Sequence, residues 1–186
     1  MDYNKEKDMM TTFDNEKKRS MRGNIKPFSN HMHAVTDNQG KNALLSYLKR
    51  NKIGFRNVSN DNRHGIDVLT LNNNDEVVMA WEVEVRNGAW KNDYNFPFRT
   101  INCIERKEYM WRKDEEFTNK IPYKVADNCS VYYVQMNKNC KRAVILDSKT
   151  ILEYPLVRSF NKYAEQHNIV EYVRQVPSKE AVHVIL

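Results

Sequence analysis

With 186 residues and a mass of 22.1 kDa, the chain has room for one compact domain and a tail, and 40% hydrophobic with 29% charged residues is a globular composition. Its 30 Lys and Arg against 24 Asp and Glu leave +6, which permits a nucleic-acid partner without requiring one. No run approaches the roughly 18 apolar residues of a membrane span, residues 1–12 lack the apolar stretch of a secretory leader, and three cysteines without paired short spacings make neither a disulfide framework nor a zinc site. The expectation is therefore an intracellular, cytoplasmic protein with no membrane partner and with free thiols at Cys103, Cys129 and Cys140.

Residues 1–36 read as a basic, flexible N-terminal tail, because residues 17–36 carry five cations and no acid. Within it, Lys17, Lys18 and Arg19 suit either a grip on phosphates or a solvated face. Residues 37–186 read as one α/β domain. Ala43, Leu44, Tyr47 and Leu48 recur at helical spacing between a cap at Thr36 or Asp37 and a stop at Gly54, and the helix should show Lys41, Lys49 and Lys52 to solvent. Residues 65–71 and 76–86 are rich in β-branched residues and read as two strands of a hairpin turned at Asn72–Asp75. After an irregular stretch at 87–99, residues 101–117 read as a helix. Residues 131–136 and 143–146 read as a second hairpin, turned at Asn137-Lys138-Asn139. A helix over 156–167 and strands over 169–176 and 181–186 complete the chain. The fold class is α/β, with a mixed central β-sheet flanked by helices.

The most informative stretch is Trp81-Glu82-Val83-Glu84-Val85. Side chains alternate along a strand, so Glu82, Glu84 and Arg86 share one face while Val83 and Val85 face apolar packing. Two carboxylates on one strand face repel unless a cation lies between them. The hairpin brings Asp67 back beside them, and three converging carboxylates are a hard-oxygen site of the kind Mg²⁺ or Mn²⁺ occupies. The plainer alternative is a wet strand face on which Arg86 pairs with Glu84.

Gly65-Ile66-Asp67-Val68, a hairpin turn, and then Trp81-Glu82-Val83-Glu84-Val85 resemble the PD-(D/E)XK nuclease superfamily, in which an Asp on one strand and an acidic-x-Lys triplet on the next form a metal site. The resemblance covers roughly residues 37–113. Ile66 stands where the family has Pro and Glu84 where it has Lys, as in a minority of restriction-type members. The first helix offers Asp37, Asn38 and Gln39 where many members place Glu. The resemblance implies a restriction-endonuclease-like core and an enzyme that hydrolyses phosphodiester bonds in DNA with Mg²⁺ or Mn²⁺, as an endonuclease ahead of an exonuclease. RNA stays open as a substrate. Asp67 and Glu82 would ligate the metal with the Val83 carbonyl, and Glu84 would act as general base or on a second metal. Cutting both strands symmetrically suits a homodimer.

Residues 86–113 hold seven cations against three acids directly after the triplet. Arg86, Lys91, Arg99, Arg106 and Lys107 are accordingly the expected nucleic-acid contacts. Trp90, Tyr94, Phe96 and Phe98, interleaved with cations, suit base stacking or an ordered loop tucked on the sheet, whereas Trp81 and Trp111 belong to the core. His31 and His33 lack a partner to complete a metal site, His64 reads as an ordinary turn histidine ahead of a phosphate contact, and no glycine-rich phosphate loop or Ser/His/Asp signature is present. The alternative function is a catalytically silent, nuclease-like module that binds nucleic acid. A more remote one is a protein-interaction module with a structural acidic strand pair.

Overall fold

The computed structural model describes residues 30–60, 66–86, 90, 95–159 and 170–186, with residues 30–35 described by backbone alone. The chain divides into two units, residues 30–157 with 172–186 and residues 1–29 with 158–171. The elements below belong to the first unit, apart from Arg158 at the end of one strand.

Helix α1 spans Asn30–Arg50, so residues 30–36, expected in the tail, form its first turns. Leu44 and Leu48, one turn apart, are fully buried, and each contributes on the order of 2 kcal/mol by leaving water. Lys49 and Arg50 sit at the end where the helix dipole favours cations. The chain then turns through Lys52 and Gly54, whose φ values are +54° and +73°. A Cβ at Gly54 would stand 2.0 Å from the Thr70 side chain, so glycine is required there on two counts.

Strands β1 (Arg56–Ser59), β2 (Val68–Leu71) and β3 (Val77–Arg86) form an antiparallel meander. The expected turn closes β2 onto β3: the Asn72 side-chain oxygen accepts the Asn74 and Glu76 amides at 2.9 and 3.0 Å, and Asp75 takes φ +60°.

The expected helix over 101–117 is instead a strand, a single 3₁₀ turn and two short helices. Strand β4 spans Thr100–Ile104, the 3₁₀ turn Glu105–Lys107, α2 Glu108–Arg112 and α3 Glu115–Asn119. Ile101 and Cys103 are buried in alternation with exposed Thr100 and half-buried Asn102 and Ile104, which is a strand pattern. Lys113, at φ +53°, breaks the helical run, and Asp114 restarts it by accepting the Phe117 amide at 3.2 Å.

The second hairpin is as expected but longer, with β5 at Val125–Asn137 and β6 at Arg142–Asp147. The Asn137 side chain accepts the Lys141 and Arg142 amides, both at 2.9 Å, and so closes the turn. Helix α4 (Ser148–Glu153) follows, capped by Asp147. Residues 156–158, expected to open a helix, are strand β7 (Leu156–Arg158), and residues 160–167 of that expectation lie outside the described residues. Strands β8 (Tyr172–Pro177) and β9 (Val182–Ile185) end the chain.

The main sheet has six strands in the order β1-β2-β3-β5-β6-β9, with β3 and β5 parallel and the other neighbours antiparallel. A mixed sheet in an α/β fold was expected; the smaller sheet, β4-β8-β7, was not. On one face of the main sheet, Leu44 and Leu48 pack with Val68, Trp81, Val134 and Met136. On the other, Ala80, Tyr133 and Leu146 pack with Ile101, Cys103, Trp111 and Val176. Strand β3 is therefore internal and covered on both sides, which decides the fate of its acids.

Candidate functional site

Alternation along β3 turns Val83 and Val85 toward α1. Their methyl groups lie 2.9 and 2.8 Å from where a Cβ on Gly40 would be, so only glycine lets α1 come so close. Glu82, Glu84 and Arg86 take the opposite face. Across the parallel register they meet Tyr133, Gln135 and Asn137 of β5.

Glu82 is 6% exposed. Its Oε1 pairs with the Nζ of Lys107, the last residue of the 3₁₀ turn after β4. Its Oε2 is buried and has no hydrogen-bond partner among the described residues. Burial pushes the Glu82 carboxyl up to about 7; Lys107 works against the rise, while the charges of Asp67 and Glu84 add to it. Burial pulls Lys107 down, but Glu82, Glu84 and Asp67 outweigh it and raise its pKa, so Lys107 stays a cation.

Asp67 lies just before β2, at the open end of the hairpin. Its amide donates to the Trp81 carbonyl at 3.2 Å, and its own carbonyl accepts the Asn60 amide at 2.9 Å. Its Oδ2 accepts the Val83 amide at 2.8 Å, and its Oδ1 pairs with Lys41 at 3.1 Å. The Trp81 and Val83 backbone groups thus point to the same edge of β3, which puts the Val83 carbonyl there as well. Lys41 was expected in solvent, yet its side chain is 16% exposed and also reaches the Asn60 carbonyl. Lys49 and Lys52 are exposed as expected.

Glu84 is held twice. Arg86 pairs with Oε1 at 2.7 Å, and the Tyr133 hydroxyl donates to Oε2. Gln135 donates in turn to the Tyr133 oxygen at 2.8 Å. Burial, with Glu84 next in effect, raises the Tyr133 phenol well above its ordinary pKa and keeps it a donor. The Gln135 Oε1 and Arg86 Nε atoms are buried without a partner among the described residues.

Among the described residues, no three His, Cys, Asp or Glu side chains gather as a metal-binding group; Glu84 turns to Arg86 and Tyr133. The donor chemistry of the other two acids nonetheless suits a hard divalent cation. Carboxylates and a strand-edge carbonyl are its preferred ligands, and the Glu82 Oε2 is a buried oxygen that no donor among the described residues reaches. Asp67 and Glu82, with the Val83 carbonyl, are the residues that would hold such an ion.

Of the expected nucleic-acid contacts, Arg86 and Lys107 are committed to Glu84 and Glu82, and Arg99 and Arg106 are exposed. Lys91, Lys17, Lys18 and Arg19 lie outside the described residues, as do Tyr94 and His64. Trp90 is buried with Phe96 against it edge-on at 5.2 Å, which is the tucked arrangement; Phe98 is 37% exposed. Trp81 and Trp111 are in the core.

Sequence reasoning missed Lys41, Tyr133 and Gln135 as members of the cluster. Lys41 shares a helical stripe with Leu44 and Leu48, at i, i+3 and i+7, which marked an inward flank. Gln135 breaks the apolar run of β5 two residues after Tyr133, on the same strand face.

No protein-family model and no curated protein matches the chain. The functional reading therefore rests on the chemistry of these side chains. Among the described residues no helix is long and apolar enough to cross a membrane.

Proposed function

We infer that the chain is a metal-dependent nuclease, cleaving phosphodiester bonds in DNA as an endonuclease on a restriction-endonuclease-like core. One observation carries the reading: Glu82, buried on an internal strand, keeps a carboxylate oxygen with no partner among the described residues, beside an Asp67 fixed at the same strand edge. A structural carboxylate in such a place would be expected to have both oxygens satisfied. The meander carrying both acids follows helix α1 and precedes the crossover from β3 to parallel β5, which agrees with the motif resemblance.

A Mg²⁺ or Mn²⁺ ion on these residues would supply Lewis acidity toward a phosphoryl oxygen and make water easier to deprotonate. The chain's own groups do the rest. Lys41 and the Val83 amide fix the Asp67 carboxylate, and Lys107 fixes Glu82. Arg86 and Tyr133 orient Glu84 while leaving each oxygen a further lone pair with which to take a proton from water. Counted formally, Asp67, Glu82 and Glu84 are balanced by Lys41, Lys107 and Arg86. A divalent cation then leaves +2, which complements a diester under attack by hydroxide, a species with two negative charges. Exposed Arg99 and Arg106 are proposed to steer the nucleic acid, together with Lys91 and the basic run Lys17-Lys18-Arg19. A homodimer fits cleavage of both strands of a duplex.

The same balance favours a second reading. Each carboxylate already has a cation, so a silent module that binds nucleic acid without cutting it is consistent with the ion pairs. An assay with duplex, single-stranded and branched DNA, and with RNA, separates the two. The nuclease reading expects cleavage in Mg²⁺ or Mn²⁺ that stops in EDTA and in Glu82→Ala. Tight binding without cleavage in any metal would establish the silent module.

A further inference from the structure

The two lysines reach the carboxylates from different elements, Lys41 from α1 and Lys107 from the turn after β4. Neither is at the surface: their side chains are 16% and 15% exposed, and those of Asp67 and Glu82 are 18% and 8% exposed. An ammonium so far out of water is tolerated only where a carboxylate replaces its hydration, and each lysine has one. The two acids are not held equally. Asp67 has Lys41 on one oxygen and the Val83 amide on the other. Glu82 has Lys107 on Oε1 and, among the described residues, no partner on Oε2. Lys107 also has a second seat, since its Nζ lies 5.8 Å from the centre of the Tyr133 ring, within cation–π range.

On the metal-site reading above, we propose that Lys107 is an exchangeable counter-ion of Glu82, competing with a divalent cation for the carboxylate and thereby setting the metal affinity of the site. A cation that takes Glu82 releases the ammonium toward the Tyr133 face, and no covalent bond changes. Lys41 stays with Asp67. Lys107 is thus a positioning residue, which neutralises a buried carboxylate and yields it to a stronger charge.

The test is Mn²⁺ binding to the full chain by titration calorimetry, without nucleic acid, at pH 8.5 and one ionic strength. Lys107→Met removes the competitor and is expected to tighten Mn²⁺ binding about ten-fold. Lys107→Arg keeps the charge and folding partner but grips a carboxylate with two donors, so binding is expected to weaken several-fold. Opposite shifts support the proposal. Weaker or unchanged binding in a Lys107→Met protein whose near-ultraviolet circular dichroism matches the parent overturns it. If that variant does not fold, unchanged or tighter binding in Lys107→Arg overturns it. Absence of Mn²⁺ binding in the parent chain overturns both the proposal and the metal site. Opposite shifts in a protein that cleaves no nucleic acid would leave the counter-ion role standing and remove the nuclease reading.

Discussion

Glu82 is the residue on which the chemistry and the stability of the site meet. Its carboxyl is raised by burial to about 7, above the ordinary carboxylate value of 4.5. The folded protein therefore holds a proton that the unfolded chain gives up between those values. Stability from this group is full below about pH 4.5 and is lost as pH rises through about 7. Between pH 5 and 8 the parent protein should lose about 2–3 kcal/mol more than Glu82→Gln, read as urea unfolding free energies. Parallel pH profiles would show that Glu82 is not destabilised by burial. Glu82 was legible in the sequence because alternation on a β-branched strand announces a carboxylate turned into a core, and Asp67 because the hairpin turn brings its segment back beside that strand. Their partners were less so. Lys41 and Lys107 lie 26 and 25 residues from the acids they hold, Asp67 and Glu82, and nothing local in a sequence states which distant cation a buried acid will choose.

Elements place these residues by how closely they pack. Gly40 sits where α1 crosses β3, and the next residue is the Lys41 that holds Asp67. Alanine at Gly40 would gain up to about 1 kcal/mol of helix propensity. Its Cβ would also meet the Val85 and Val83 methyls at 2.8 and 2.9 Å, and valine side chains have little room to yield. Overpacking of this kind costs about 1–3 kcal/mol, so the clash should prevail. Gly40→Ala is expected to lower the urea midpoint; an unchanged or higher midpoint would mean that the helix can ride away from the strand without loss. The misreading of residues 101–117 belongs to the same scale. Aromatic and long side chains from 109 to 117 support helical periodicity, but Thr100–Ile104 pairs with β8, some 70 residues later in the chain. That pairing overrides local preference, and a single sequence does not display it. Both hairpins were legible because Asn72 and Asn137 build their turns locally.

For the molecule as a whole, the concentration of positive charge after the triplet is partly an internal matter. Of the cations in residues 86–113, Arg86 and Lys107 neutralise the acids of the site, Arg112 pairs with Glu108 at 3.1 Å, and Lys113 donates to the Cys129 carbonyl at 2.9 Å. Arg99 and Arg106 are exposed. If both contact phosphates, the double variant Arg99→Ala/Arg106→Ala should bind DNA more weakly, and its log affinity should depend less steeply on log salt, by about 1.5–2 in slope. An unchanged slope would assign the binding to other cations. The central claim, that Glu82 and Asp67 form a metal-dependent cleavage site, is tested most directly on covalently closed circular DNA, where only an endonuclease can act. The parent protein with Mn²⁺ is expected to convert the closed circle to nicked and linear forms, and Glu82→Gln or EDTA to leave it closed. A circle left intact by folded parent protein that binds both Mn²⁺ and the DNA would contradict the account.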